Sequence, residues 1–205
     1  MKICLTTLYD ENFRNFMPYV SKSFEKFCDV NSFDIEIYNN MFDSSLHPSW
    51  NKLLAIKECF KKYDLVFWCD ADSLFTGINE NFLKMNNFNH QSNFMIASDE
   101  NGICLSHILV KNTEYNLKLI DTLLFLSDVK NNDLFGIGPK WEQNTLKVLI
   151  QHFNIKFQVM NKRSMKWTTP EMFHDDIFFF HYAVQSNDVR YEAIKNHFGK
   201  LYLNK

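Results

Sequence analysis

Five consecutive apolar residues, Leu65-Val66-Phe67-Trp68-Cys69, stand between Asp64 and Asp70, and no other stretch constrains the fold as tightly. A strand with one wet face alternates apolar and polar side chains. A run without alternation belongs inside a sheet that is covered on both faces. The neighbouring segments supply the cover. Phe13, Phe16, Met17, Val20, Phe24 and Phe27 recur at the three-and-four spacing of one buried helical face. Pro48 and Ser49 stand where a second helix begins, Trp50, Leu53, Leu54, Ile56 and Phe60 give it an apolar side, and Lys61-Lys62 suit its C-terminal dipole. Further strands are expected over 3–9, 33–38, 94–97, 103–110 and 155–159, with a last apolar run over 177–181; further helices are expected over 115–125 and 141–153, and 86–93 reads as a surface loop. Strands alternating with helices predict a single α/β layered domain over 1–205.

At 205 residues the chain is long enough to hold a full core and a cleft. Aromatic residues make up 16% of it, 21 of them Phe, against 5 Gly and 4 Pro, so it is built of bulky packed elements with few sharp turns. Fibrous, disordered and linker-like chains are excluded by that composition. A formal charge of -2 lacks the clustered cations a nucleic-acid backbone requires. Cys4, Cys28, Cys59, Cys69 and Cys104 are odd in number and scattered, which predicts reduced thiols used as small core residues and a cytoplasmic setting. Neither a secretory leader nor an apolar run of membrane-spanning length is expected.

The chemistry-bearing segment is Asp70-Ala71-Asp72 at the end of the apolar strand. Residues two apart on an extended chain point the same way, so both carboxylates enter one space past a side chain too small to obstruct them. Two anions that close repel unless a cation joins them. A divalent ion with oxygen ligands answers this, and it also neutralises a phosphate-bearing ligand at the carboxyl edge of an α/β sheet, where ligands gather.

The surroundings resemble a known family. His47-Pro48-Ser49-Trp50-Asn51-Lys52, then Tyr63-Asp64, then Phe67-Trp68-Cys69-Asp70-Ala71-Asp72, then Trp141-Glu142-Gln143 and finally Phe179-Phe180-His181-Tyr182-Ala183 are similar in order and spacing to the GT-A-fold glycosyltransferases that move galactosyl, mannosyl or xylosyl groups. The resemblance implies a Rossmann-like mixed sheet covered by helices. It implies a metal-dependent enzyme that moves a sugar from a UDP- or GDP-linked donor to a glycan acceptor, with retention favoured. It implies Mn²⁺ or Mg²⁺ held by Asp70, Asp72 and His181, imidazole being more compatible with Mn²⁺. It further implies nucleotide-sugar contacts from Thr7, Tyr9, Lys52, Asp70 and Asp99, and catalytic or acceptor-side roles for Glu142 and Gln143. Residues 1–100 would then carry mainly the donor, and 101–205 the acceptor side and the metal-completing segment. Arg190 and Lys195 are further cations for the diphosphate. Glu142, Asp175 and Asp176 are the carboxylates open to a base role, and Asp176 is taken as the third catalytic candidate. Two departures stand out: Val184 replaces a glycine that relatives often carry after the late His, and Cys104-Leu105-Ser106 replaces an N-x-G signature after Asp99-Glu100-Asn101-Gly102.

Two other readings compete. A haloacid-dehalogenase-like phosphatase also ends an apolar strand in DxD, one Asp attacking phosphate and the other serving as acid and base, with Asp175-Asp176 and Lys162 as later partners. That motif normally continues Gly-Thr on a first strand, whereas Ser73-Leu74 follows here. The second is an inactive sugar-nucleotide or glycan-binding module whose Trp50, Trp68, Trp141 and Trp167 stack on sugars. A Walker loop, a GxGxxG turn and an HExxH helix are absent from the sequence.

Overall fold

The computed structural model describes residues 1–89, 91, 93–99, 102–128, 141–167, 176–183 and 186–203. Its main sheet has six strands in the order β2-β1-β3-β6-β5-β7. These are β1 (Ile3–Leu8), β2 (Asp34–Tyr38), β3 (Leu65–Cys69), β5 (Phe94–Asp99), β6 (Gly102–Lys111) and β7 (Gln158–Val159). Strand β3 sits between β1, which it pairs in parallel, and β6, which it pairs antiparallel. All five of its residues are buried, as the unbroken apolar run requires. A second sheet of three short strands, β4 (Ser73–Phe75), β9 (Phe179–His181) and β8 (Met165–Trp167), continues from the end of β3.

Alternation along β3 divides the core into two layers. Leu65, Phe67 and Cys69 point into one, with α1 (Met17–Asn31), the small sheet, Phe82 of the short α3 (Phe82–Met85), and α6 (Asn187–Phe198). Val66 and Trp68 point into the other, with α2 (Pro48–Cys59), α4 (Glu114–Phe125) and α5 (Glu142–Phe153). Local signals set the ends of these helices. The Thr113 side chain accepts from Asn116 N to cap α4, the His47 ring accepts from Ser49 N to cap α2, and Ser32 closes α1 in the left-handed conformation.

The α/β reading holds, with differences of detail. The strand expected over 155–159 is reduced to Gln158–Val159, and the last apolar run contributes only Phe179–His181 as strand. Strands β4 and β8 and helices α3 and α6 were not expected. Three-residue strands are too short to show alternation, and β4 exists because Ser73 pairs with His181 from far along the chain. Helix α6 buries only Ala193, Ile194, His197 and Phe198, too few for a clear apolar stripe. The expected loop over 86–93 begins with a buried residue: Asn86 Oδ1 accepts from Asn161 N and Ser164 Oγ. All five cysteines are buried and free, as expected. Among the described residues, no helix is long and apolar enough to cross a membrane.

Candidate active site

The acid pair is placed by backbone on both sides. Asp70 N donates to Ser106 O at 2.9 Å, and Ser73 N donates to Asp70 O at 3.1 Å, closing a turn through Ala71 and Asp72. The turn delivers the chain into β4, whose Ser73 lies opposite His181, and Tyr182 N donates to Asp72 O at 3.0 Å. His181 is thereby brought beside two aspartates more than a hundred residues before it.

Each carboxylate divides its oxygens between protein donors and His181. Asp70 Oδ1 accepts from Trp68 Nε1 at 2.6 Å and from Lys52 Nζ at 3.2 Å, while its Oδ2 lies 3.8 Å from His181 Nε2. Asp72 Oδ2 accepts from Arg190 Nη1 at 3.0 Å, while its Oδ1 lies 3.3 Å from His181 Nε2. One ligand atom from each of Asp70, Asp72 and His181 thus falls in a group within 4.8 Å of one another. Atoms bound about 2.1 Å from one divalent ion and at right angles lie roughly 3.0 Å apart. Two carboxylate oxygens and one imidazole nitrogen at these separations therefore fit such an ion with small adjustments.

Lys52 ties the acid pair to the rest of the cleft. Its three N–H donors meet Asp70 Oδ1, Glu142 Oε1 at 2.9 Å and Leu105 O at 3.0 Å, the full capacity of an ammonium. The Leu105 carbonyl is available because β6 is interrupted: Ile96 of β5 faces Ile108, but the next residue, Ala97, faces Cys104. Leu105, Ser106 and His107 thus leave the ladder to β5. Their backbone serves the site instead. Leu105 O takes Lys52, Leu105 N donates to Gln143 Oε1 at 2.9 Å, and Ser106 O holds Asp70 N. Glu142, buried at 4% exposure, keeps one oxygen, Oε2, with no hydrogen-bond partner among the described residues.

Burial and charge act in opposite directions here. Burial pushes the Asp70 carboxyl up, more than Lys52 and His181 pull it down. Burial opposes charge on Asp72 as well, yet His181 and Arg190 outweigh it and hold that carboxyl below the usual range. Burial disfavours the His181 cation, but Asp72 raises its imidazole well above the ordinary value. Lys52 is likewise desolvated, and Asp70 with Glu142 more than restores its charge. A bound cation would be the largest local charge here, opposing the upward push on Asp70 and adding to the downward pull on Asp72.

Asp70, Asp72, His181, Lys52, Glu142, Tyr9 and Arg190 all line one cleft of about 440 Å³. The other expected residues lie elsewhere. Thr7 is wholly buried under the floor. Gln143 is turned to the Leu105 backbone, and Asp99 ends β5 opposite Gly102. Asp176 is exposed and its carbonyl accepts from Arg163 Nε, away from the cleft; Lys195 is exposed beside Glu192. Asp175, Glu100, Asn101 and Val184 lie outside the described residues. Sequence reasoning missed the Trp68 indole on Asp70. It also missed the cleft's rim pair, where the rings of His47 and Trp141 meet edge to face at 4.5 Å. The signal for Trp68 was its position two before Asp70 on a strand, hence on the same face.

No protein-family model and no curated protein matches the sequence. Solved structures do match in fold. A glycosyltransferase involved in glycosylation of the major capsid of PBCV-1 superposes with a TM-score of 0.71 at 11% identity, over 94% of this chain and 99% of that one. The galactosyltransferase LgtC, solved with donor and acceptor sugar analogs, gives a TM-score of 0.59 at 11% identity, over 98% of this chain and 96% of LgtC. The apo glycosyltransferase GlyE of Streptococcus pneumoniae TIGR4 gives 0.61 at 11% identity, over 99% of this chain but 64% of GlyE. The likeness does not favour the phosphatase reading. At such identity it is a likeness of architecture, and by it the chain has the GT-A glycosyltransferase fold.

Proposed function

We propose that the protein is a metal-dependent glycosyltransferase that moves a sugar from a nucleoside-diphosphate donor to a glycan acceptor, within one domain. The observation that carries this reading is the convergence of Asp70 Oδ2, Asp72 Oδ1 and His181 Nε2 at the carboxyl end of β3, inside a cleft of a GT-A fold. LgtC, of the same fold, was solved with donor and acceptor sugar analogs, which supports a donor and an acceptor here. The three groups would hold Mn²⁺ or Mg²⁺, Mn²⁺ being favoured by the imidazole. When bound, the ion supplies electrostatic stabilisation to the departing diphosphate.

The chain's own groups do the remaining work. Arg190 brings a second positive charge to the same side of the cleft and suits a diphosphate oxygen. Tyr9, just after β1, lines the cleft and would stack on the base of a UDP or GDP moiety. Lys52 has no donor to spare, so it neutralises Asp70 and Glu142 rather than reaching phosphate. In the reaction the sugar's C1–O bond to diphosphate breaks and a C1–O bond to the acceptor forms. Outside the acid pair, Glu142 is the buried carboxylate of the cleft, and its Oε1 is already held by Lys52; retention, which needs no base opposite the leaving group, is therefore preferred.

Calorimetry with UDP- and GDP-sugars, with Mn²⁺ and with EDTA, tests the reading. Asp72→Ala is expected to abolish metal-dependent donor binding with an unchanged circular dichroism spectrum. Donor affinity that survives both Asp72→Ala and EDTA refutes it. Binding without release of nucleoside diphosphate would instead favour a sugar-nucleotide-binding module.

A further inference from the structure

We infer that Trp68 is a positioning residue for Asp70, its indole N–H aiming the carboxylate so that a single oxygen faces the cation. This rests on the metal-dependent reading above. Trp68 and Asp70 are two apart at the end of β3 and share a face. The indole is donor only, it is 3% exposed, and Asp70 Oδ1 at 2.6 Å is its hydrogen-bond partner. Lys52 Nζ approaches the same Oδ1 at 3.2 Å and also lies over the Trp68 ring, 5.7 Å from its centroid. Both donors hold one oxygen and leave Oδ2 turned toward His181 Nε2. The charge-assisted bond from the rigid, packed ring is the shorter of the two, and its single donor is spent on Asp70, whereas the ammonium divides its donors among Asp70, Glu142 and Leu105. Groups that orient a ligand in this way typically govern metal affinity by 10–100-fold.

Phenylalanine at position 68 keeps the ring and removes the donor. In Trp68→Phe, Mn²⁺ affinity measured by electron paramagnetic resonance of the free ion is expected to fall about tenfold, while Trp50→Phe, in the same layer but outside the cleft, changes it by less than about twofold. The indole proton gives a signature independent of activity. The chain has four tryptophans. The Trp68 Nε1–H resonance is expected furthest downfield, and substoichiometric Mn²⁺ is expected to broaden it before the other three.

Unchanged Mn²⁺ affinity in folded Trp68→Phe, with normal broadening in the wild type, overturns the positioning role and leaves the cation reading standing. Failure of the wild type to bind Mn²⁺ or to show any broadening sinks the cation reading itself. Should Trp68→Phe fail to fold, Asp70→Ala in the otherwise unaltered chain decides. The Trp68 Nε1–H resonance must then move upfield toward the other indoles, and a resonance that stays in place overturns the proposal.

Discussion

The two layers that sandwich β3 differ in material. The layer of α1, α6 and the small sheet is a knot of aromatic rings: Phe27 alone meets Phe33, Phe67, Phe75, Phe82 and Phe179 with centroids 5.0–5.5 Å apart. The layer of α2, α4 and α5 is mostly aliphatic, with Leu53, Ile56, Val66, Ile108, Leu119 and Leu146. The acid pair sits on the seam between them. Asp70 is held from the aliphatic side, by Trp68 and by Lys52 of α2, and Asp72 from the aromatic side, by His181 of β9 and Arg190 of α6. A site assembled from two independently packed layers keeps its geometry only while both stay in place.

The largest effect is expected in the aromatic layer. Phe27→Ala removes the ring at its centre and should cost about 3–5 kcal/mol, read as a lower urea midpoint with an unchanged slope. A cost below about 1.5 kcal/mol, the range of a conservative core trim, would show that the knot repacks freely. Next is the tether on the aliphatic side. Lys52→Met leaves the buried Glu142 and the partly buried Asp70 without their counter-ion and should cost about 3 kcal/mol, seen by the same titration.

Arg190→Ala should cost less, about 1.5 kcal/mol, because Asp72 keeps His181, and it should weaken donor binding in calorimetry. Equal stability losses for Lys52→Met and Arg190→Ala would erase the asymmetry between the two tethers. Ile56→Val, a one-methylene trim in the aliphatic layer, should cost about 1 kcal/mol. Arg163→Ala breaks the half-exposed pair with Glu80, outside both layers, and should cost less than about 1 kcal/mol. A larger loss there would mean that the small sheet depends on its rim.

Much of the fold was legible because burial writes itself into spacing. Unbroken apolarity announced β3, the three-and-four recurrence of Phe, Met and Val announced α1, and Pro48-Ser49 ahead of an apolar side announced α2. Asp70 and Asp72 were legible for the same reason, since a short acidic pair that ends an apolar strand has few structural explanations. Short elements were not legible. Strands β4 and β8 are defined by partners far along the chain, and α6 carries Arg190 into the cleft on a helix with little apolar face. Gln143 was named together with Glu142 by the family resemblance; successive residues near the start of a helix point about 100° apart, and of the two Glu142 lines the cleft while Gln143 holds Leu105 N.

What the amino-acid sequence determined by itself is the α/β layering, the central strand and the acids at its tip, because periodicity and burial are local properties of the chain. What only the tertiary structure decided is how His181, Arg190 and Lys52, which the family resemblance or a position after His181 had suggested, reach those acids. His181 arrives through strand pairing, Arg190 through helix packing, and the Lys52 and Asp70 anchors through three residues of β6 that leave their ladder to β5. Each depends on groups distant in the chain meeting at hydrogen-bond range, and no local pattern encodes such a meeting.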